Sequence, residues 1–219
     1  MEEVRSAVVL LSSGLDSTVN LYCARRELNI SKAITFNYGQ RAARREIEHS
    51  QKICKVLNIE HNIIEILWLG EWTSTSLVNT KVNVPQGEEI KIDDYQKSLK
   101  TAKAVWVPNR NGIFLNIAAA LAESLEADYV IPGFNKEEAV TFPDNTQEYL
   151  DALENCFSFS TASKVKTLCF TADKNKSEIV QLGRKLQVPF DLMWPCYLGE
   201  EKICQKCESC KRFLGALEA

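Results

Sequence analysis

The chain has 219 residues, 45% of them hydrophobic and 25% charged, which suits one globular unit with a sizeable core and excludes a small disulfide scaffold despite eight cysteines. A formal net charge of −3 leaves no basic excess for nonspecific nucleic-acid binding. No apolar run approaches the roughly 18 residues of a membrane helix, and Met1-Glu2-Glu3-Val4-Arg5 leads straight into a strand without a signal-peptide core, so a cytoplasmic protein with no membrane partner is expected.

From the N-terminus, Ala7-Val8-Val9-Leu10-Leu11 is apolar without alternation, as expected for a strand buried on both faces of a parallel sheet. It breaks into Ser12-Ser13-Gly14-Leu15-Asp16-Ser17-Thr18, with a helix expected from Ser17. Hydroxyls, backbone N–H groups and a helix N-terminus converge in this turn, a combination suited to phosphate. Gly14 lets the backbone approach an anion without a Cβ in the way. Asp16 and Ser17 are good N-cap residues, and Val19, Tyr22, Cys23 and Arg26 continue at helical spacing. The turn lacks the lysine of G-x-x-x-x-G-K-[ST] and the glycine pattern of G-x-G-x-x-G. The expected ligand is a nucleoside triphosphate or pyrophosphate; the plain alternative is a strand-to-helix turn that binds nothing.

Residues 32–37 read as a second strand and 40–57 as a helix with Ala43, Ile47, Cys54 and Leu57 on one face. Arg41, Arg44 and Arg45 on that helix read as a solvated face, with a phosphate or RNA contact as the alternative. A third strand is expected over 61–66. Residues 67–107 break the pattern with Thr73-Ser74-Thr75-Ser76 and Pro85-Gln86-Gly87, and read as an irregular insertion over the active-site edge. Beyond it, a helix over 110–125 places Ile113, Phe114, Ile117, Leu121 and Leu125 at helical spacing. Arg110 at its start opposes the helix dipole, which suggests a bound anion; a surface helix-start residue is the alternative. A short strand over 128–131 ends at Pro132-Gly133. A helix over 145–156 has Asp144 as an N-cap candidate, and a strand is expected over 165–170. The helix over 175–186 is capped by Asn175, with Ile179, Leu182 and Leu186 inward. This order predicts an α/β fold built on a doubly wound parallel sheet with right-handed crossovers.

Cys196, Cys204, Cys207 and Cys210 follow the spacing C-x7-C-x2-C-x2-C, which can close four thiolates around Zn²⁺. An iron–sulfur cluster is the rival, but Leu214 stands where the ferredoxin run places its fourth cysteine, so zinc is favoured. Lys202, Lys206, Lys211 and Arg212 would offset the thiolate charge. Cys23, Cys54, Cys156 and Cys169 lie singly in apolar or periodic segments and read as buried thiols.

The Ser12–Thr18 turn resembles the S-G-G-x-D-S loop of the N-type ATP pyrophosphatases, which split ATP between its α and β phosphates. Ser13 takes the place of the first glycine and offers its N–H provided φ stays negative. With the cysteine tail added, the chain is similar over nearly its whole length to the 7-cyano-7-deazaguanine synthase family. Phe36-Asn37-Tyr38-Gly39-Gln40-Arg41 looks like the family's F-x-Y-G-Q-R, and Val107-Pro108-Asn109-Arg110-Asn111 like its V-P-x-R-N. Gly133-Phe134-Asn135, Phe142-Pro143-Asp144, Lys176-Ser177-Glu178-Ile179 and Trp194-Pro195-Cys196-Tyr197 look like its G-x-N, aromatic-P-D, K-x-E-I and W-x-C-Y elements. Ala42 replaces a frequent histidine, and Glu138-Ala139-Val140-Thr141 a frequent D-Y-S-G.

The resemblance implies an adenine nucleotide alpha hydrolase-like fold with Rossmann-type layers. It implies a PP-loop domain over 1–195 and a Cys₄ zinc segment over 196–219. It also implies ATP, Mg²⁺ and structural Zn²⁺, a homodimer, and no nucleic-acid partner. The implied reaction converts 7-carboxy-7-deazaguanine and ammonia to 7-cyano-7-deazaguanine (preQ0), in queuosine biosynthesis, through adenylated intermediates. Asp16, Arg110 and Lys176 would be catalytic. Ser12, Ser13, Gly14, Leu15, Asp16, Ser17 and Thr18 would hold ATP, and Gly133, Asn135, Glu138 and Asp144 the acceptor. A deazaguanine presents two adjacent donors that one carboxylate, Asp144 or else Glu138, can accept. Two other readings stay open: a PP-loop tRNA-modifying enzyme of thiolation or lysidine type, and a non-catalytic nucleotide-binding adaptor whose zinc tail docks a partner.

Overall fold

The computed structural model describes residues 5–90 and 95–219. Residues 1–4, read above as the lead-in to the first strand, and 91–94, within the expected insertion, lie outside the described residues. Strands β1 (Ser6–Leu10), β2 (Asn29–Asn37), β3 (His61–Glu65), β4 (Tyr129–Ile131) and β5 (Lys166–Thr167) form one sheet in the order β3-β2-β1-β4-β5. Every pairing in it is parallel. The strand order reverses between β1 and β4, and ligands of open α/β sheets bind outside the strand ends at such a switch point.

Alternate side chains of each strand enter opposite layers, as a two-residue period requires. Val8, Ile34, Phe36 and Val130 pack with α5 (Arg110–Ser124) and α7 (Gln147–Ser160). Ala7, Val9, Leu11, Ala33 and Ile131 pack with α1 (Leu15–Glu27) and α2 (Ala43–Leu57). A third cluster joins Leu15, Val19 and Cys23 of α1 to Ile179 and Val180 of α8 (Lys176–Lys185) and to Phe213 and Ala216 of α9 (Glu208–Glu218). The last helix is therefore part of the core beneath the phosphate turn. Among the described residues no helix is long and apolar enough to cross a membrane.

Several sequence expectations are corrected. Helix α1 starts at Leu15, not Ser17, and Gly14 caps it without a side-chain bond, so Asp16 and Ser17 lie in the first turn rather than at the cap. Residues 67–107 are not wholly irregular: they contain α3 (Leu67–Glu71), a 3₁₀ turn at Gly87–Glu89 and α4 (Tyr95–Val105). Helix α5 turns its small face, Gly112, Ala118, Ala119 and Ala122 around Leu115, fully inward, while the expected stripe at Ile113, Phe114, Ile117 and Leu121 is only partly covered and Leu125 is exposed. Small residues let the helix sit close on the sheet. Between β4 and α7 lies the short α6 (Lys136–Ala139), and α7 is capped by the Thr146 hydroxyl rather than by Asp144. Cys156 is exposed because α7 buries Leu150, Leu153 and Phe157, one position off that stripe. Asn175 does cap α8, in a reciprocal box with Glu178.

The strand expected over 165–170 keeps only two residues, and a side chain replaces the missing ladder. Buried Asn20 of α1 accepts from the Phe170 N–H at 2.7 Å and donates to the Asp16 carbonyl at 2.9 Å and to Thr171 Oγ1. Replacing Asn20 by Ala leaves the Phe170 N–H without its partner and is expected to cost about 2 kcal/mol, read as a lower urea midpoint at unchanged m-value.

Candidate active site

One cavity of about 260 Å³ opens at the switch point. Of the residues singled out from sequence, Ser12, Gly14, Leu15, Asp16, Ser17, Arg110, Gly133, Glu138, Asp144, Lys176 and Cys196 line it. Ser13, Thr18 and Asn135 are fully buried behind that wall.

The turn is drawn together by its hydroxyls. The Ser12 N–H donates to Ser17 Oγ at 3.2 Å, the two serine hydroxyls lie 3.1 Å apart, and Ser17 Oγ also reaches the Gly14 carbonyl. Ser13 adopts φ +58°, so the condition of a negative φ fails: the serine takes up the left-handed conformation that a glycine would adopt freely. Its hydroxyl turns inward to the Ser12 and Glu46 carbonyls, and its own carbonyl accepts from the Trp194 N–H at 2.9 Å. Gly133 serves by having no side chain: a Cβ there would lie 2.5 Å from the Ser17 nitrogen.

Lys176 sits at the first position of α8, with its ammonium between Asp16 (2.6 Å) and Glu138 (2.8 Å). Asn135 Nδ2 adds a bond to the same Asp16 oxygen at 3.2 Å, while Asp16 Oδ1 is buried with no partner among the described residues. Burial raises the Asp16 pKa against the opposing pull of Lys176. For Glu138 the lysine outweighs burial and holds the carboxyl below its usual range. Burial likewise works against charge on Lys176, but the two carboxylates overcome it and keep the ammonium protonated.

Arg110, which also lines the cavity, lies over the Phe114 ring at 6.0 Å and donates to Asn111. Burial would lower its pKa, but Tyr38, Asp144 and Tyr197 beside it hold it above its ordinary value. Asp144 lies in a 3₁₀ turn, accepts from Asn145 Nδ2 at 3.1 Å, and is raised by burial. Parallel rings of Trp106 and Phe142 (6.0 Å) and of Phe36 and Phe114 (4.0 Å) give the same cavity flat apolar walls. Sequence reading missed Trp106, Phe114 and Glu46 as site residues; only the positions of Phe114 and Glu46 near the starts of α5 and α2 hinted at them. Arg41 and Arg45 are not a solvated face. Arg41 donates to the Asn79 and Val82 carbonyls, while Arg45 donates to the Glu200 carbonyl and lies over the Trp194 ring; only Arg44 is exposed.

The Sγ atoms of Cys196, Cys204, Cys207 and Cys210 all lie within 4.8 Å of one another. Tetrahedral coordination at about 2.3 Å needs sulfurs roughly 3.8 Å apart, so the set fits a four-coordinate ion. Backbone N–H groups of Leu198 and Cys204 point at the Cys196 sulfur, and those of Lys206 and Cys207 at the Cys204 sulfur, which favours thiolates. Arg212 does not turn to the cluster; it pairs with Glu137 (2.6 Å) and Glu208 (2.9 Å). Glu137 in turn accepts the Lys176 N–H at 2.8 Å, so the tail is tied to the start of α8. The insertion is tied to the tail through Gln86 and Cys207, through Gly87 and Lys206, and through Thr101 and Glu208.

A doubly wound parallel sheet with a hydroxyl-rich turn at its switch point defines an α/β fold of the PP-loop kind. The solved 4-thiouridine synthetase–RNA complex with bound ATP shares it, with a TM-score of 0.53 and 17% identity, over 98% of this chain and 50% of that one. The family model described as "Queuosine biosynthesis protein QueC" matches residues 6–219, and the chain belongs to that family. It is 53% identical over 213 residues to the 7-cyano-7-deazaguanine synthase of Bdellovibrio bacteriovorus, covering 97% of this chain and 92% of that relative. To the enzyme of the same name from Methanosarcina mazei it is 51% identical over 209 residues, covering 94% and 90%.

The conformation of Ser13 yields a stability test. Ser13→Gly exchanges a strained φ for two lost hydroxyl contacts and is expected to stay within about 1 kcal/mol of the parent, whereas β-branched Ser13→Val is expected to cost about 2 kcal/mol. Urea denaturation of the two variants measures the difference.

Proposed function

We propose that this protein is an ATP-dependent carbon–nitrogen ligase that makes 7-cyano-7-deazaguanine from 7-carboxy-7-deazaguanine and ammonia. The observation that carries the reading is one cavity joining the phosphate turn and Lys176 to Arg110, Asp144 and two aromatic pairs. A nucleoside triphosphate and a planar acidic acceptor can thus meet within it. The names of the relatives point to the product, 7-cyano-7-deazaguanine, and the carboxylate acceptor is the precursor this reading assigns to it.

In this reading the Ser12–Thr18 turn grips the leaving pyrophosphate and Lys176 balances its charge. Arg110 holds the acceptor carboxylate, and Asp144 accepts the two adjacent donors of the deazaguanine edge, with Gly133, Asn135 and Glu138 shaping the wall between them. The carboxylate oxygen attacks the α-phosphate, pyrophosphate leaves, and ammonia displaces AMP to give an amide. A second adenylation, on the amide oxygen, permits loss of AMP and formation of the nitrile. The unpartnered Asp16 Oδ1 suits a cation ligand, so Asp16 would hold Mg²⁺, which supplies charge neutralisation at the phosphates. The four cysteines would hold Zn²⁺ with no open position, a structural role for the tail over 196–219 beside the main unit over 1–195. Eight free cysteines suit the reducing cytoplasm. A homodimer, and a small-molecule rather than nucleic-acid partner, complete the proposal.

Purified protein with ATP, Mg²⁺, ammonium and 7-carboxy-7-deazaguanine should give the nitrile and AMP by mass spectrometry; neither product forming would refute the reading. Asp16→Asn should lower turnover about 100-fold with an unchanged circular dichroism spectrum. Asp144→Asn should raise the acceptor KM about tenfold and leave the KM for ATP unchanged, because one buried acceptor is exchanged for a mismatched donor.

A further inference from the structure

Among the described residues four carboxylates line the cavity, and two of them hold a cation in ion pairs. Asp16 and Glu138 share the Lys176 ammonium, and Asp144 lies beside Arg110. The fourth, Glu46 in the first turn of α2, takes part in no ion pair among the described residues. Its one hydrogen-bond donor is an amide whose orientation is fixed. Gln40 Oε1 accepts from the Tyr38 N–H at 3.0 Å and Gln40 Nε2 donates to the Phe36 carbonyl at 2.9 Å, which leaves the other Nε2 hydrogen for Glu46 Oε2, also at 2.9 Å.

The position matters as much as the pairing. The Glu46 carbonyl accepts from Ser13 Oγ at 3.3 Å, which places the residue against the phosphate turn. On its other side the charged and titratable neighbours are Arg110 and Tyr38. Glu46 therefore lines the cavity with its backbone against the Ser12–Thr18 turn and with Arg110 among its charged neighbours. We propose that Glu46 is the general base that removes protons from the nitrogen as it is built into the nitrile. The assignment rests on the ligase reading above.

The chemistry requires such a group. When ammonia attacks the acyl adenylate, a C–N bond forms, the C–O bond to AMP breaks with its electron pair leaving on the phosphate, and one N–H proton must depart. After the amide oxygen has displaced pyrophosphate from a second ATP, two N–H protons leave as the C–N bond becomes triple and the second AMP departs. Glu46 accepts these protons in turn and passes them to solvent between steps. Burial holds its carboxyl above the usual range against the opposing pull of Gln40 and Arg110, which brings a carboxylate nearer to the pH at which a base is most effective.

The test separates adenylation from proton removal in the full-length protein. Glu46→Gln keeps an acceptor for Gln40 and removes the base. Exchange of labelled pyrophosphate into ATP, driven by 7-carboxy-7-deazaguanine without ammonia, should stay within about threefold of the parent, while conversion of the amide to the nitrile should fall about 100-fold. With the amide as substrate, the parent rate should decline as pH falls and the carboxylate protonates. That acid limb should vanish in Glu46→Gln and persist in Glu46→Asp. Full nitrile formation by Glu46→Gln, or a parallel loss of exchange and nitrile formation, would overturn the role while leaving the ligase reading intact. Absence of both exchange and nitrile formation in the parent would overturn the ligase reading and this role together.

Discussion

A buried ammonium between two carboxylates organises this molecule. Lys176, Asp16 and Glu138 come from the starts of α8 and α1 and from α6, and their contacts of 2.6 and 2.8 Å gather the segments that follow β1, β4 and β5. None of these charges is tolerable there alone: removing one partner of a buried pair leaves an uncompensated charge, at about 3–5 kcal/mol. The phosphate turn inherits its shape from this centre. Asp16 lies within the turn, and Gly133 lets the loop after β4 press on Ser17 without a Cβ between them. A site for a highly charged ligand is thus assembled around charges that the protein must already keep together.

Ile34, Thr35 and Phe36 of β2 and Arg110 and Phe114 of α5 form part of the cavity wall, and two further pieces complete it: residues 67–107, which supply Trp106, and the cysteine tail, which supplies Cys196, Tyr197 and Phe213. These two pieces are stitched to each other at Gln86–Cys207 and Gly87–Lys206, and the tail to α8 by Arg212, Glu137 and the Lys176 backbone. The four-cysteine segment thereby reaches the start of α8 through two hydrogen-bonded steps, Arg212 to Glu137 and Glu137 to the Lys176 backbone.

What was legible in the sequence was what is local in it. The strand-to-helix turn at Ser12–Thr18, the Asn175 cap and the clustering of the four cysteines depend on spacing within a few residues, so their presence is legible from spacing alone. The parallel sheet was legible from the alternation of apolar runs and helices. What escaped depends on pairs far apart in the chain. Asn20 meets Phe170 across 150 positions and ends β5 early; Trp106 meets Phe142 only after the chain has turned back over the sheet; Arg45 finds Glu200 instead of water. The face of α5 was misread for another reason. Bulky residues mark an apolar stripe, yet a helix packed on a sheet buries its smallest face deepest, so Ala118, Ala119 and Ala122 lie inside Ile117 and Leu121. Ser13 belongs to neither class: its left-handed backbone is invisible to a pattern of residue types and is fixed by Trp194 from the far end of the chain.

That Cys196, Tyr197 and Phe213 wall the cavity has a consequence for biosynthesis. A ribosome delivers the Ser12–Thr18 turn early and these residues about 180 positions later. The Ser12–Thr18 turn therefore exists on the nascent chain before this part of the wall has been made. A chain truncated before Cys196 would carry the Ser12–Thr18 turn and most of the cavity lining without the wall that Cys196, Tyr197 and Phe213 supply. Completion of the cavity on the nascent chain is therefore coupled to synthesis of the four-cysteine segment.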